Sequence, residues 1–210
     1  AEQYIPVPLE EVNLDWQVLE RPENPTPDSK MSVLLGAAPK TVINRYVKLG
    51  EVSELSIVSL EPETIALSRS LIYGPQKMLT TIILDMGTEE TNLVITRNGL
   101  LSFTRTLSTG GSAITRAIAT NFGLEFLQAE EYKKTYGIEK EHFDGKLAEV
   151  IKPLLNVLSS ELQRAVAFYQ SKRPNDPVKR LILAGSTSLL PGIVKFFTQN
   201  LGLETQTADP

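Results

Sequence analysis

The run MLTTIILDMG at residues 78–87 constrains this chain more than any other stretch. It is apolar at most positions and shows no polar face, so it reads as a buried strand. Burying such a strand takes a proper core, and 210 residues are enough for one large domain or two small ones. The stretch NLVITRNGLLSFTRTL follows as a hairpin about Asn98-Gly99, a pair suited to the positive φ angles of a tight turn. The turn before it is less ordinary. It holds Asp85, Gly87, Thr88 and Thr91, a set that a plain hairpin does not require. Either it is a polar loop, or it is a cradle in which glycine lets backbone N–H groups approach an anion and threonine hydroxyls add donors. Asp85 would repel phosphate directly, but it could hold a hydrated magnesium ion that bridges to it.

Composition narrows the classes. The chain is 41% hydrophobic and 22% charged, as soluble globular proteins are, and its formal charge of −4 comes with no long basic run. A nucleic-acid groove therefore has little support. No apolar stretch approaches the roughly 18–20 residues of a transmembrane helix, and no signal peptide opens the chain, so a cytoplasmic location is expected. The absence of cysteine removes thiol catalysis, disulfides and zinc-cysteine sites. The single histidine, His142, excludes a His-rich metal site and lies in the polar EKEHFDG, where a surface position is expected. Both ends read as cut from something longer.

Along the chain, EEVNLDWQVLE (residues 10–20) alternates Val12, Leu14, Trp16 and Val18 against Asn13, Asp15 and Gln17, the pattern of a half-buried strand. The proline-rich RPENPTPDSK is a loop to a second strand, MSVLLGAA. A helix then starts at Pro39, presents Val42, Ile43, Tyr46 and Val47 on one face and ends at Gly50. LSIVSLE reads as a third strand and PETIALSRSLIYG as a second helix. Residues 1–76 thus form a β-β-α-β-α unit. In residues 77–210 the hairpin precedes a helix after Gly110-Gly111 and an amphipathic helix ending at Gly137. A long helical pattern spans 145–172, with Pro153 as kink or true start, and a strand–glycine turn–helix closes the chain. The fold class is α/β.

Two more loops share the character of the first. Ser108-Thr109-Gly110-Gly111-Ser112 stands at a helix N-terminus, either as an anion or hydroxyl site or as a glycine loop capped by Ser112. Gly185-Ser186-Thr187 is either a tight strand-to-helix turn or a small-residue shelf for a flat ring. Glu130 and Lys133 fall one helical turn apart on one face, and spacing alone favours a surface pair over a ligand contact.

The order of these parts resembles the second ATPase lobe of the actin, sugar-kinase and Hsp70 superfamily. The likeness is carried by AEQYIPVPLEEVNLDWQVL, LDMGTEETNLVITRNG, TLSTGGSAITRAIATNFGLEFLQAEEYKKTYG and LAGSTSLLPGI, and it covers almost the whole chain. Within that superfamily the chain is most similar to the PilM family of type IV pilus assembly, with the cell-division FtsA proteins more distant. The resemblance implies a small PilM/FtsA-type subdomain at 1–76 and an actin-like, ribonuclease H-like lobe at 77–210. It assigns Asp85, Gly87, Thr88 and Thr91 to the phosphate and magnesium side, with Asp85 holding magnesium through water. Gly110 and Gly111 go to the phosphate or ribose floor, Glu130 and Lys133 to the nucleoside, and Gly185, Ser186 and Thr187 to the adenosine turn. The last departs from the consecutive glycines usual there.

The implied cofactor is ATP or ADP with magnesium. The fold clamps phosphates between two Asp-x-Gly turns, and no second one occurs before residue 77, so weak or absent binding is expected in this chain by itself. The implied partners are the cytoplasmic N-terminal segment of PilN and other proteins of the pilus inner-membrane platform. Self-association is frequent in actin-like lobes, and no membrane insertion is implied. The implied role is a cytoplasmic scaffold rather than an enzyme. The alternatives are a phosphotransferase or ATPase lobe, which would need a catalytic base and a complete cleft, and an FtsA-like division protein. The latter would need an amphipathic anchor, which ETQTADP is not.

Overall fold

A computed structural model of the chain describes residues 5–22, 24–139 and 143–209, so the expectation for His142 lies outside the described residues. The chain divides into two compact units, Ala1–Pro62 and Glu63–Pro210.

In the first unit, β1 (Val12–Glu20) pairs antiparallel with β2 (Ser32–Pro39), and α1 (Lys40–Val52) follows directly. The cross-strand pairs Val12–Pro39, Leu14–Ala37, Trp16–Leu35 and Val18–Val33 put eight apolar residues on one face of this ribbon. Only Val12 of them is fully buried, and Trp16 is 67% exposed. The third strand expected at 55–61 does not form. Those residues carry no strand, and Ile57 instead packs back toward Gly50 of α1. A two-stranded ribbon is too narrow to cover a helix face, which accounts for the exposure of Val42, Tyr46 and Val47. Helix α1 runs two residues past the expected stop at Gly50. The division between units also falls at Pro62 rather than at residue 76, because α2 (Glu63–Leu71) packs on the sheet of the second unit.

That sheet has five strands in the order β5-β4-β3-β6-β7: β3 (Thr81–Met86), β4 (Thr91–Arg97), β5 (Leu100–Leu107), β6 (Arg180–Ala184) and β7 (Glu204–Thr207). β3, β4 and β5 are antiparallel, whereas β6 and β7 run parallel to β3. Asn98 and Gly99 take φ of 52° and 74° at the β4–β5 turn, as the Asn-Gly pair predicts. One sheet face, Ile82, Leu84, Met86, Leu93, Ile95, Leu181 and Leu183, packs with α3 (Gly111–Phe122), α5 (Lys146–Lys172) and α6 (Ile193–Leu201) in a single core. Ile83, Val94 and Ile182 on the other face are buried as well. This double coverage is why β3 shows no polar side in the sequence.

Helix α3 ends at Gly123 in the left-handed region, and α4 (Phe126–Tyr136) begins with a capping box between Glu125 and Gln128. Pro153 lies inside α5, which continues past it to Lys172. At the start of β3, Asp176 accepts hydrogen bonds from Thr80 (2.6 Å), Arg97 (2.8 Å) and Tyr169 (2.8 Å), which ties β3, β4 and α5 together.

Candidate functional site

The three glycine-rich loops meet at the carboxyl ends of β3 and β6, where open α/β sheets bind ligands. The turn after β3 closes on itself through Gly87 N–H to Glu90 O (3.0 Å). It is then gripped by the start of α3: Gly111 N–H donates to Gly87 O and Ser112 N–H to Thr88 O, each at 2.8 Å. The Thr187 hydroxyl reaches the same Gly87 carbonyl from the β6 loop at 3.4 Å. Thr91 Oγ1 donates to Thr109 O (2.6 Å), a third hydrogen bond between the hairpin and the Ser108–Ser112 loop.

Glycine is required where these backbones cross. A Cβ on Gly110 would collide with Thr88 O and would come within 2.6 Å of Glu89 C and Glu90 N. At Gly111 it would strike Thr187 Oγ1 and stand 3.3 Å from Lys133 Nζ. Gly185 combines a φ of 79° with Met86 O and Asp85 Oδ1 at 2.6 and 2.7 Å from its ideal Cβ position. Ser112 is not the N-cap: Gly110 holds that position without a side-chain bond, and the Ser112 hydroxyl accepts from Arg116 Nη2 at 2.9 Å.

Glu130 and Lys133 are not a surface pair. Lys133 is buried, and its three hydrogens go to Gly111 O (3.1 Å), Thr115 Oγ1 (2.9 Å) and Glu130 Oε2 (2.7 Å). The Thr115 hydroxyl lies 3.0 Å from Gly111 O and 2.5 Å from Glu130 Oε2. Burial works to raise the Glu130 carboxyl. The hydrogen bonds from Lys133 and Thr115, with the charges of Lys133 and Lys134, outweigh it and leave Glu130 below its usual range. Residue spacing put these two side chains on one face of α4 but carried no signal that the face meets α3.

The eleven candidate residues therefore separate into two groups. Asp85, Gly87, Thr88, Glu130, Gly185 and Ser186 are exposed or partly so and can touch a ligand. Thr91, Gly110, Gly111, Lys133 and Thr187 are buried with their polar groups engaged, so they hold the loops in place. Thr115, which braces the α3–α4 contact and is the threonine one turn after Gly110-Gly111 in the family-like segment, and Arg116, whose guanidinium stands 3.9 Å from Glu89 at the turn, are not among the eleven candidates. Their positions four residues after Gly111 and Ser112 were the available signal.

Asp85 has its carboxyl raised by burial first, then by the neighbouring charges of Glu63 and Glu90. Among the described residues no donor bonds it, and no three acidic or histidine side chains gather to hold a metal directly. A desolvated carboxylate flanked by like charges fits a hydrated cation, which would be held here through water.

A family model described as type IV pilus assembly protein PilM matches residues 1–210. The solved PilM-PilN type IV pilus biogenesis complex resembles the chain at a TM-score of 0.78 and 30% identity, over 100% of this chain and 59% of that one. The cell division protein FtsA of Enterococcus hirae is 25% identical over 201 residues, which cover 86% of this chain and 45% of FtsA. MreB5 of Spiroplasma citri, solved with AMPPNP, shares the fold at a TM-score of 0.62 and 16% identity, over 81% of this chain and 60% of MreB5. The chain thus spans about half the length of the FtsA relatives it matches. Among the described residues no helix is long and apolar enough to cross a membrane. With a mixed α/β architecture of the actin-like ATPase type and a match to the family over its full length, the chain belongs to the type IV pilus assembly PilM family.

Proposed function

We propose that the chain is part of a cytoplasmic scaffold of the pilus inner-membrane platform that binds the cytoplasmic N-terminal segment of PilN and is not an enzyme. The observation that carries this reading is the likeness of the whole of this chain to part of the solved PilM-PilN complex. The open ribbon of the first unit supports it. Leu14, Trp16, Val33 and Leu35 give that unit a continuous, partly exposed apolar face of the kind that receives peptide side chains. ATP or ADP with magnesium is proposed as a conformational ligand of the longer protein, with Asp85, Thr88, Glu130 and the Gly185–Ser186 turn as the ligand-facing groups. Likeness to a protein solved with AMPPNP and the convergence of the loops support that part. Localisation at the inner membrane would come through protein partners.

Trp16 is the only tryptophan, which makes the test direct. A peptide from the N-terminus of a cognate PilN, titrated into the chain, should shift Trp16 emission to the blue with micromolar affinity. Leu35→Asp should weaken that binding at least tenfold. No binding at high micromolar peptide by an independent readout such as calorimetry, with circular dichroism showing the fold intact, would refute the reading. Steady ATP turnover abolished by Asp85→Asn would instead favour the ATPase alternative.

A further inference from the structure

The grip of α3 on the β3–β4 turn engages several donors that a phosphate tail could otherwise use. The N–H groups of Gly111 and Ser112 are bonded to Gly87 O and Thr88 O, and all three hydrogens of Lys133 are directed at protein oxygens. The hydroxyls of Thr91 and Thr187 are engaged as well. At the turn itself stand the Thr88 hydroxyl and the carboxylates of Asp85, Glu89 and Glu90. A polyphosphate arriving there faces strong repulsion.

The counter-charge is Arg116. It projects from the second turn of α3, is steadied by Nη2 donating to Ser112 Oγ at 2.9 Å, and reaches to 3.9 Å from Glu89 Oε2. The Arg116 and Glu89 side chains are 60% and 72% exposed, so the pair is loosely held and can exchange partners with little cost. A planar guanidinium suits phosphate oxygens better than a single carboxylate at this distance.

We propose that Arg116 reads the phosphate tail of the nucleotide, and that Glu89 occupies the guanidinium when no phosphate is present and competes with it. Arg116 is then the residue that distinguishes nucleotide from nucleoside, while Glu130 and the Gly185–Ser186 turn face the sugar and base. This rests on the nucleotide reading above.

The experiment is calorimetric titration of the longer protein that carries this chain with Mg-ADP and, separately, with adenosine. Arg116→Gln should weaken Mg-ADP about tenfold, Arg116→Lys less, and Glu89→Gln should tighten it about threefold. Adenosine should bind all variants alike. Both side chains are exposed, so circular dichroism should show every variant folded. Equal Mg-ADP affinity in wild type and Arg116→Gln would overturn the proposal and leave the nucleotide reading standing. An equal loss of adenosine in Arg116→Gln would also overturn it, since a reader of phosphate leaves the nucleoside untouched. Binding of adenosine but not Mg-ADP by wild type would do the same. Failure of the longer wild-type protein to bind either ligand would overturn both.

Discussion

Gly110→Ala isolates what the glycine-rich loop is for. If Gly110 exists to let an anion approach the backbone, alanine costs ligand affinity and leaves stability alone. The structure assigns the opposite weight. The added Cβ meets Thr88 O and lies 2.6 Å from both Glu89 C and Glu90 N, where ordinary contact begins near 3.4 Å. Those atoms are backbone, so no rotamer change relieves the clash, and the turn must move away from α3 by about 1 Å. That movement stretches the 2.8 Å bonds from Gly111 N–H to Gly87 O and from Ser112 N–H to Thr88 O beyond hydrogen-bonding range. Two such bonds are worth about 1 kcal/mol each, and overpacking adds about 1–3 kcal/mol.

Gly110 has φ −121° and ψ −172°, an extended conformation that alanine adopts freely. The stiffer unfolded chain returns about 0.5 kcal/mol, for a net loss of about 3 kcal/mol. In a chain of this size that lowers Tm by roughly 10 °C. The matched control is Gly123→Ala, where φ is 64° and nothing lies within 4 Å of the ideal Cβ. Its cost of about 1 kcal/mol is purely conformational, so Gly123→Asn should recover most of it, whereas Gly110→Asn should recover nothing. The assay is urea unfolding followed by far-UV circular dichroism, because Trp16 fluorescence reports the first unit. An unchanged midpoint in Gly110→Ala, with Mg-ADP binding lost from the longer protein, would refute the packing argument and restore Gly110 to the ligand.

The α4–α3 brace is tested by Lys133→Met, which leaves Gly111 O, Thr115 Oγ1 and Glu130 Oε2 without their shared donor. Glu130 keeps some solvent, so the loss is expected at about 3 kcal/mol, the low end for breaking a buried pair, and urea unfolding measures it. Opposite pH slopes are expected from two aspartates. Burial works to raise Asp176, but hydrogen bonds from Thr80, Tyr169 and Arg97 with the Arg97 charge hold it below 3.8 in the fold. It therefore contributes stability above that value, lost as pH falls through the folded pKa, and Asp176→Asn should flatten the acid limb of a stability–pH curve. Asp85 is raised above 3.8, so its contribution runs the other way: stability grows as pH falls from its folded pKa toward 3.8. Asp85→Asn should remove that slope and stabilise the chain at pH 7.

What could be read from the sequence is what neighbouring residues decide. The period-two run of β1, the Asn98-Gly99 hairpin, the helix after Gly110-Gly111 and the glycine turn at 185 all follow from backbone preferences and side-chain alternation over a few residues. Their order was enough to carry the likeness to an actin-like lobe and to name the loops that meet. Distances between segments were not legible, because nothing local encodes them. LSIVSLE has the composition of a strand, but a strand forms only where a neighbour offers its hydrogen bonds, and among the described residues none does here. Glu130 and Lys133 show their spacing in the sequence, but only the packing of α4 on α3 buries the lysine and turns a surface pair into a brace. Gly110 and Gly111 declare that something comes close to their backbone. That the visitor is the carbonyl edge of the β3–β4 turn was decided by the tertiary structure, because close approach is a property of two chain segments and only one of them is written at any position.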